Sequence, residues 1–400
     1  MDDVLSRLGL KSVVNAAGPM TFLGASAVNQ DAIDAAVAIL PLNVEMPELH
    51  RAASRAIAAA TGSEAGCVTA CAASGITIAV AASITGDDLG RIERLPDTEG
   101  LKDEVVLMKG HNCHFSGEIA QMVRLAGAGV IEIGTVNRAT RYQLETALGE
   151  RTAAALYVVS HQTAQVGMIA LEEFCSICRS KNIPVIVDAS AEHDLRGFLE
   201  AGADLVIYSA HKFLGGLTAG IVAGQKDLVR ACYLQEFGIG RAMKVGKEGI
   251  ASTIAVLEHW GRLDKAAIQR EETARLELAA DLLNLVDGLA ISLEADPTGN
   301  PVTRVRIRVD EAEAGLAAAD LNRSLAAQDP AIYIRSHDND PCSLLLDPCA
   351  LSDDNTRLVC QRIANIVKQA SRDRDAFRAS LPPAEGWITT WPDPPPRRKS

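Results

Sequence analysis

The sequence predicts an α/β protein, with a mostly parallel central sheet flanked by helices and a smaller α/β domain toward the C-terminus. Two observations carry this. Between residues 105 and 223 short apolar runs alternate with helical segments, the spacing that parallel strands joined by crossover helices require. The runs themselves, such as "VIV" at 185–187 and "LVI" at 205–207, are apolar at every position, which fits strands buried on both faces.

The elements follow in order. Residues 65–86, "AGCVTACAASGITIAVAASITG", carry no charge. Their Thr, Ser, Gly and Ala content and the break at Gly75 read as a buried strand–turn–helix, not a membrane span. Strands are expected at 105–109, 130–133, 153–160, 184–188, 205–209 and 219–223, with helices near 117–126, 143–149 and 171–181. Residues 247–287 read as one long or broken helical stretch. Beyond it come strands at 289–294, 302–309, 331–336 and 343–347, and helices at 311–326 and 353–370. The expected division is residues 1–255 as an N-terminal segment and large domain, 256–372 as a connector helix and small domain, and 373–400 as a tail. The tail ends "WPDPPPRRKS" and reads as a flexible or partner-wrapping arm.

A chain of 400 residues, 48% hydrophobic and 22% charged, can bury a large core. Net charge −12 argues against nucleic acid and anionic membrane as partners, since both select basic patches. The opening Met1-Asp2-Asp3-Val4 lacks the pattern of a secretion signal. Nine cysteines, an odd count, read as free thiols in a reducing cytoplasm. Cys175 and Cys178 fall within an amphipathic helical run without a second pair at metal spacing, so core packing is expected there and no metal site.

The chemistry centres on two residues. Asp188 closes the strand "IPVIVD", and Lys212 follows the next strand in "IYSAHKFLGG" (207–216). In open α/β sheets ligands sit beyond the carboxyl ends of strands, so both side chains are expected in one crevice. A carboxylate and a lysine there form a plain ion pair, or hold pyridoxal 5'-phosphate. The amine would bind the aldehyde, and the carboxylate would keep the pyridine nitrogen protonated. That cofactor's other needs have candidates. Ala72, Ala73, Ser74 and Gly75, at the entry to an apolar helix, offer backbone N–H groups to a phosphate. Ser209 and His211 offer side-chain donors to the same phosphate, and His111 or His114 in "MKGHNCHF" offers a flat partner for the ring.

The segment "VIVDASAEHDLRGFLEAGADLVIYSAHKFLGG" resembles the core of fold-type I pyridoxal-phosphate enzymes, in the class V aminotransferase and cysteine desulfurase pattern Ser-x-His-Lys. "VVNAAGPMTFLGAS" (13–26), "TGSEAGCVTACAASGI" (61–76), "IEIGTVNRAT" (131–140) and "EFGIGRAMKVGKEGI" (236–250) resemble the selenocysteine-synthase-like family. That family includes bacterial selenocysteine synthase and D-glucosaminate-6-phosphate ammonia-lyase. The resemblance implies Lys212 as the Schiff-base lysine, Asp188 as the pyridinium partner, Ser209, His211 and the Ala72–Gly75 turn as phosphate ligands, and His111 as the stacking ring. Desulfurases carry "SHVSNVLG" where this chain has "SHQTAQVG" (160–167). Their ring-hydroxyl asparagine falls on Ala164, leaving Gln162 or Gln165 for that contact.

The remaining candidates each have a bland alternative. Arg335, near the end of a C-terminal strand, suits a substrate carboxylate or simply faces solvent. Arg241 and Lys244 in "GIGRAMKVGK" form an anion site or a solvated loop. His161 and His193 are proton shuttles or structural histidines. Asn15, Met20 and Thr21 are entrance residues. Cys342, the nearest counterpart of a desulfurase cysteine, reads as a hairpin-turn residue. The resemblance implies α,β-elimination from a hydroxylated amino acid or amino-sugar acid, giving a 2-oxo acid and ammonia. It also implies a homodimer or higher oligomer with shared sites. Racemase, desulfurase and selenotransferase activities stay open, as does a non-enzymatic sensor.

Overall fold

The apolar runs form strands. In chain order these are β1 (Val13–Ala16), β2 (Ala65–Thr69), β3 (Glu104–Met108), β4 (Gly129–Ile133), β5 (Thr152–Val158), β6 (Val185–Asp188), β7 (Leu205–Ser209), β8 (Gly220–Gly224), β9 (Leu289–Ala295), β10 (Thr303–Val309), β11 (Ala331–Ser336) and β12 (Ser343–Leu346). The computed structural model describes residues 2–336 and 340–381 and divides into two units. One is Ala25–Leu263; the other combines Met1–Gly24 with the chain from Asp264 onward.

The first unit is built on a seven-stranded sheet in the order β2-β8-β7-β6-β5-β3-β4. All strands run parallel except β8, which is antiparallel to both neighbours. Strands β6, β7 and β8 are buried at every position, as their apolar runs require, and the burial extends to Asp188 and Ser209 at the ends of β6 and β7. The sheet separates two cores. Val206 and Tyr208 face one, with helix Met46–Thr61 and helix Lys247–Arg262. Leu205 and Ile207 face the other, with helix Ala72–Thr85. That helix is apolar nearly all round because it is buried nearly all round. Fully buried side chains such as Ile57, Leu107, Leu156 and Ile186 each stabilise the unit by about 1.5–3 kcal/mol. Among the described residues no helix is long and apolar enough to cross a membrane.

The second unit holds a five-stranded sheet, β1-β11-β12-β10-β9. Its β10, "TRVRIRV", alternates: Val305, Ile307 and Val309 enter a core with the helices Lys265–Leu283 and Asp353–Arg372, while Arg304, Arg306 and Arg308 occupy the intervening positions.

Two expectations change here. The first 24 residues, expected with the large domain, join the second unit instead. Strand β1 pairs parallel with β11, Val13 opposite Ala331 and Ala16 opposite Ile334. The reason is packing: Val14 and Ala16 are buried beside Ile332 and Ile334 in the second unit's core. The tail does not begin as an arm. Arg374–Ser380 is a helix anchored by buried Phe377, with Arg374 and Arg378 both paired to Glu311. The rest of the expected arm, 382–400, lies outside the described residues.

Deleting residues 1–24 should therefore destabilise the second unit by about 3 kcal/mol, the burial of Val14 and Ala16 plus the lost strand pairing. Thermal unfolding followed by circular dichroism should show an earlier transition. An unchanged midpoint would contradict the placement of β1.

Candidate active site

Because β2, β3, β5, β6 and β7 run the same way, their carboxyl ends line one edge of the sheet. Antiparallel β8 delivers its first residue, Gly220, to the same edge, opposite Thr69 and Ser209. Only glycine fits there: a Cβ would lie 2.3 Å from the Cys71 carbonyl oxygen.

Asp188 ends β6, and its residue is 5% exposed. Burial pushes its carboxyl pKa upward, while the Lys212 charge and the Ser190 hydrogen bonds oppose that. Ser190 bridges the pair. Its N–H donates to Asp188 Oδ1 at 3.1 Å, and its hydroxyl accepts from Lys212 Nζ at 3.3 Å. Its carbonyl accepts from the Ser209 N–H at 3.2 Å, lacing the two loops together. The sequence singled out Asp188 and Lys212 but missed Ser190. The available signal was an Asp-x-Ser turn directly after a strand.

Lys212 itself sits in a tight turn after β7. Gly215 N–H donates to the Lys212 carbonyl, and Gly216 N–H to the Ala210 carbonyl. Gly215 has φ +69°, which explains the first of the two glycines. The next side chain, Phe213, stacks on His193 (centroids 4.9 Å apart) and meets Trp260 edge-on. His193 is thus part of an aromatic cluster around the residue that follows Lys212.

Ser209 and His211 form a ready couple: Ser209 Oγ lies 3.0 Å from His211 Nδ1. Burial holds the His211 pKa below the usual imidazole range. The helix Ala72–Thr85 starts at Cys71, with a capping box between Cys71 and Ser74. Of the four turn residues expected to face a phosphate, two are otherwise engaged. The Ser74 hydroxyl donates to the Cys71 carbonyl and its N–H to Cys71 Sγ, and the Gly75 N–H donates to the Cys71 carbonyl. Ala72 and Ala73 stand at first-turn positions, where a helix supplies no acceptor for the N–H. Gly75 serves packing: a Cβ there would touch Ile207 at 3.0 Å.

His111 is buried, 3% exposed, and its ring stands edge-on to Tyr157 at 4.5 Å. Its Nδ1 accepts from the Val158 N–H at 3.2 Å, which puts the ring proton on Nε2. Burial holds its pKa down to about 4. The ring is therefore neutral at neutral pH and is no general acid there. His114 is exposed. In the 160–167 loop, Gln165 donates its amide to the carbonyls of Ser160 and Thr163, whereas the Gln162 side chain is exposed. Cys113, not singled out by the sequence, lies close enough that Asp188 and Lys212 both act on its thiol; burial and Asp188 push it up to about 11.

Arg241 and Lys244 are exposed and flank the half-buried Glu236, whose pKa burial raises and both cations lower. His161 is partly buried. In the second unit Arg335 is buried and donates Nε to the Ala17 carbonyl at 3.1 Å. Asn15 shapes that loop, donating to the Gly18 carbonyl and accepting from the Ala17 N–H. Thr21 is exposed, and Cys342 is an exposed turn residue ahead of β12. All nine cysteines are free thiols; burial pushes Cys175 and Cys178 up to about 12, as packing residues require. Among the described residues no His/Cys/Asp/Glu cluster could hold a metal ion.

The donor set fits pyridoxal 5'-phosphate on its own terms. It offers a buried carboxylate that burial disfavours unless a cation is near, an amine beside it, and a hydroxyl–imidazole couple. Two orphan N–H groups at a helix N-terminus complete it. Comparison with known proteins agrees. Residues 13–323 match the family described as SelA, L-seryl-tRNA selenium transferase. The chain is 38% identical to the D-glucosaminate-6-phosphate ammonia lyase of Salmonella typhimurium, over 92% of this chain and 99% of that protein. It is also 38% identical to a 5'-C-glycyluridine monooxygenase-decarboxylase from a Streptomyces species, over 90% of this chain and 91% of that one. A solved structure of D-glucosaminate-6-phosphate ammonia-lyase superposes with TM-score 0.82 at 37% identity, covering 92% of this chain and 99% of that one. The chain therefore belongs to the selenocysteine-synthase-like (SelA) family of fold-type I enzymes, whose cofactor is pyridoxal 5'-phosphate.

Proposed function

We propose that this enzyme is an ammonia-lyase. It would eliminate a group from a hydroxylated amino acid or amino-sugar acid, giving a 2-oxo acid and ammonia. The observation that carries the reading is the buried Asp188 carboxylate with Lys212 as its cationic neighbour, in a chain that matches a named ammonia lyase along 99% of that protein's length.

Pyridoxal phosphate supplies a sink for the electrons left at Cα when its proton is removed. The chain's own residues do the rest. Lys212 Nζ would hold the cofactor and would serve as the base for the Cα proton. Its place in a turn pinned at Ala210, Gly215 and Gly216 keeps that amine aimed. Asp188 holds a proton on the pyridine nitrogen, because a buried carboxylate stabilises a neighbouring cation strongly. Ser209, His211 and the Ala72 and Ala73 N–H groups bind the phosphate. Neutral His111 would exclude water from the cofactor's ring, and exposed Gln162 would serve its hydroxyl. Arg241 and Lys244 meet the polar end of the substrate distant from the cofactor. A homo-oligomer in the cytoplasm completes the reading; the free thiols suit a reducing compartment.

A second reading has its own support. The monooxygenase-decarboxylase relative is as similar in identity as the ammonia lyase. Oxygen consumption with release of CO2 would mark that chemistry, and ammonia with a 2-oxo acid in equal amounts marks elimination.

Three expected outcomes test this site, two on its chemistry and one on its pH dependence. Purified protein should take up pyridoxal phosphate with a new visible absorbance, and Lys212→Ala should abolish that band and lower turnover at least 1,000-fold. A screen of D- and L-hydroxy amino acids and amino-sugar acids, including D-glucosaminate 6-phosphate, should yield 2-oxo acid and ammonia together. Protein that stays colourless with the cofactor, or yields neither product from any of them, would overturn the lyase reading.

The third concerns pH. The folded pKa of His111 is about 4, below the free imidazole value of about 6.5, so acid protonates the unfolded chain first. Its contribution to stability is thus lost as pH falls from about 6.5 toward 4, amounting to about 2 kcal/mol at pH 5. The wild type should lose that much more stability than His111→Gln between pH 7 and pH 5 in denaturant titrations. Parallel losses in the two proteins would show that His111 is protonated while folded.

A further inference from the structure

In the first unit a third side chain joins the lysine and the carboxylate. Ser190 lies two residues past the end of β6 and is half-buried, as is Lys212. Its hydroxyl accepts from Lys212 Nζ at 3.3 Å and also bonds the Asp188 carboxylate. A hydroxyl has one proton to give, and an ionised carboxylate only accepts. The chain of bonds therefore has a direction: Lys212 Nζ–H to Ser190 Oγ, then Ser190 Oγ–H to Asp188. That direction suits a charged Asp188.

The turn itself does not need the hydroxyl. The Ser190 N–H donates to Asp188 Oδ1 at 3.1 Å, and its carbonyl accepts from the Ser209 N–H at 3.2 Å. The Ala189 N–H donates to the Ile207 carbonyl at 2.9 Å. An alanine at 190 would make the same backbone bonds. What needs the hydroxyl is the charge. Asp188 is buried, and a buried carboxylate stays ionised only where donors and a cation meet it. The Lys212 ammonium likewise gains from an acceptor at its tip. Two other titratable groups face the pair. Burial and Asp188 push the Cys113 thiol up to about 11, and burial, then the Lys212 charge, lowers His211. Neither brings a charge at neutral pH.

We propose that Ser190 is a positioning residue: its hydroxyl holds the Lys212 amine and the Asp188 carboxylate in one directed chain of hydrogen bonds, so that the carboxylate is already charged when the cofactor's ring nitrogen reaches it. The inference deepens the proposed function and rests on its assignment of Lys212 and Asp188 to the cofactor.

The test uses the full-length protein with Ser190→Ala and Ser190→Thr. In cofactor-free protein, acetylation of Lys212 by acetic anhydride is followed against pH by mass spectrometry. Losing its acceptor should make the ammonium give up its proton more readily. Ser190→Ala should then react about tenfold faster than the wild type at neutral pH, its profile moved about one pH unit toward acid. Ser190→Thr, which keeps a hydroxyl, should follow the wild type. Cofactor binding gives the second readout. Ser190→Ala should weaken pyridoxal phosphate about tenfold. The deaza analogue, with carbon in place of the ring nitrogen, should bind wild type and variant equally, because it offers Asp188 nothing to hold. A serine that only shapes the turn would weaken both ligands alike and leave the acetylation profile in place; either result overturns the proposal. Lys212→Ala keeps the two layers apart. A visible cofactor band that survives there defeats the assignment of Lys212, while the acetylation profiles still judge Ser190.

Discussion

The first unit depends on one buried charge. A carboxylate at the end of a strand with no exposed position is unfavourable unless a cation and hydrogen-bond donors meet it. Lys212 and Ser190 supply these from the adjacent loops. Holding them there requires β6 and β7 to be neighbours, in register, with Asp188 opposite Ile207. It also requires the short turn that brings Lys212 back toward the strand ends. Sheet order, strand burial and the glycines after Lys212 all serve that constraint. On the proposed reading the same constraint serves the chemistry, because a carboxylate that needs a cation would stabilise one brought by a cofactor.

Much of this was legible in the sequence, for a physical reason. Strands buried on both faces need near-continuous apolar runs, so β5, β6, β7 and β8 announce themselves. A lysine and an aspartate just past such strands can only lie at their carboxyl ends. What stayed hidden depends on distant partners. Nothing local in "VVNA" says that its neighbour is β11, more than three hundred residues later. Helix Gln30–Ile39 and helix Met46–Thr61 have no counterpart among the expected elements, because the residues they bury are largely alanine, which marks a core face only weakly. Within the site, residue type was readable but hydrogen-bond commitments were not. Ser74 and Gly75 look like phosphate ligands until the capping box claims their donors. Gln165 looks free until its amide closes its own loop. His111 reads as a flat ring, but its contacts with Tyr157 and the Val158 N–H come from a strand more than forty residues away.

The second unit shows the same principle with the signs reversed. There the alternation of β10 places Arg304 beside core valines, and buried Asp347 meets Arg304 at 2.8 Å but Arg335 of β11 only at 3.8 Å. Equal residue types at similar depth thus do different work, decided by distances of about one ångström. Such differences are invisible in a string of letters, because they arise from where Gly18 and Asp347 happen to meet. They also explain why an arginine motif in the sequence supports a binding role and a structural role equally well until geometry separates them.

The central claim is that Asp188 stays charged in order to hold a proton on the cofactor's ring nitrogen. Its most direct test is the nitrogen-15 chemical shift of labelled pyridoxal phosphate bound to the wild type and to Asp188→Asn. The account predicts a protonated ring nitrogen across neutral pH in the wild type and an unprotonated one in the variant. An identical shift in the two proteins would contradict it.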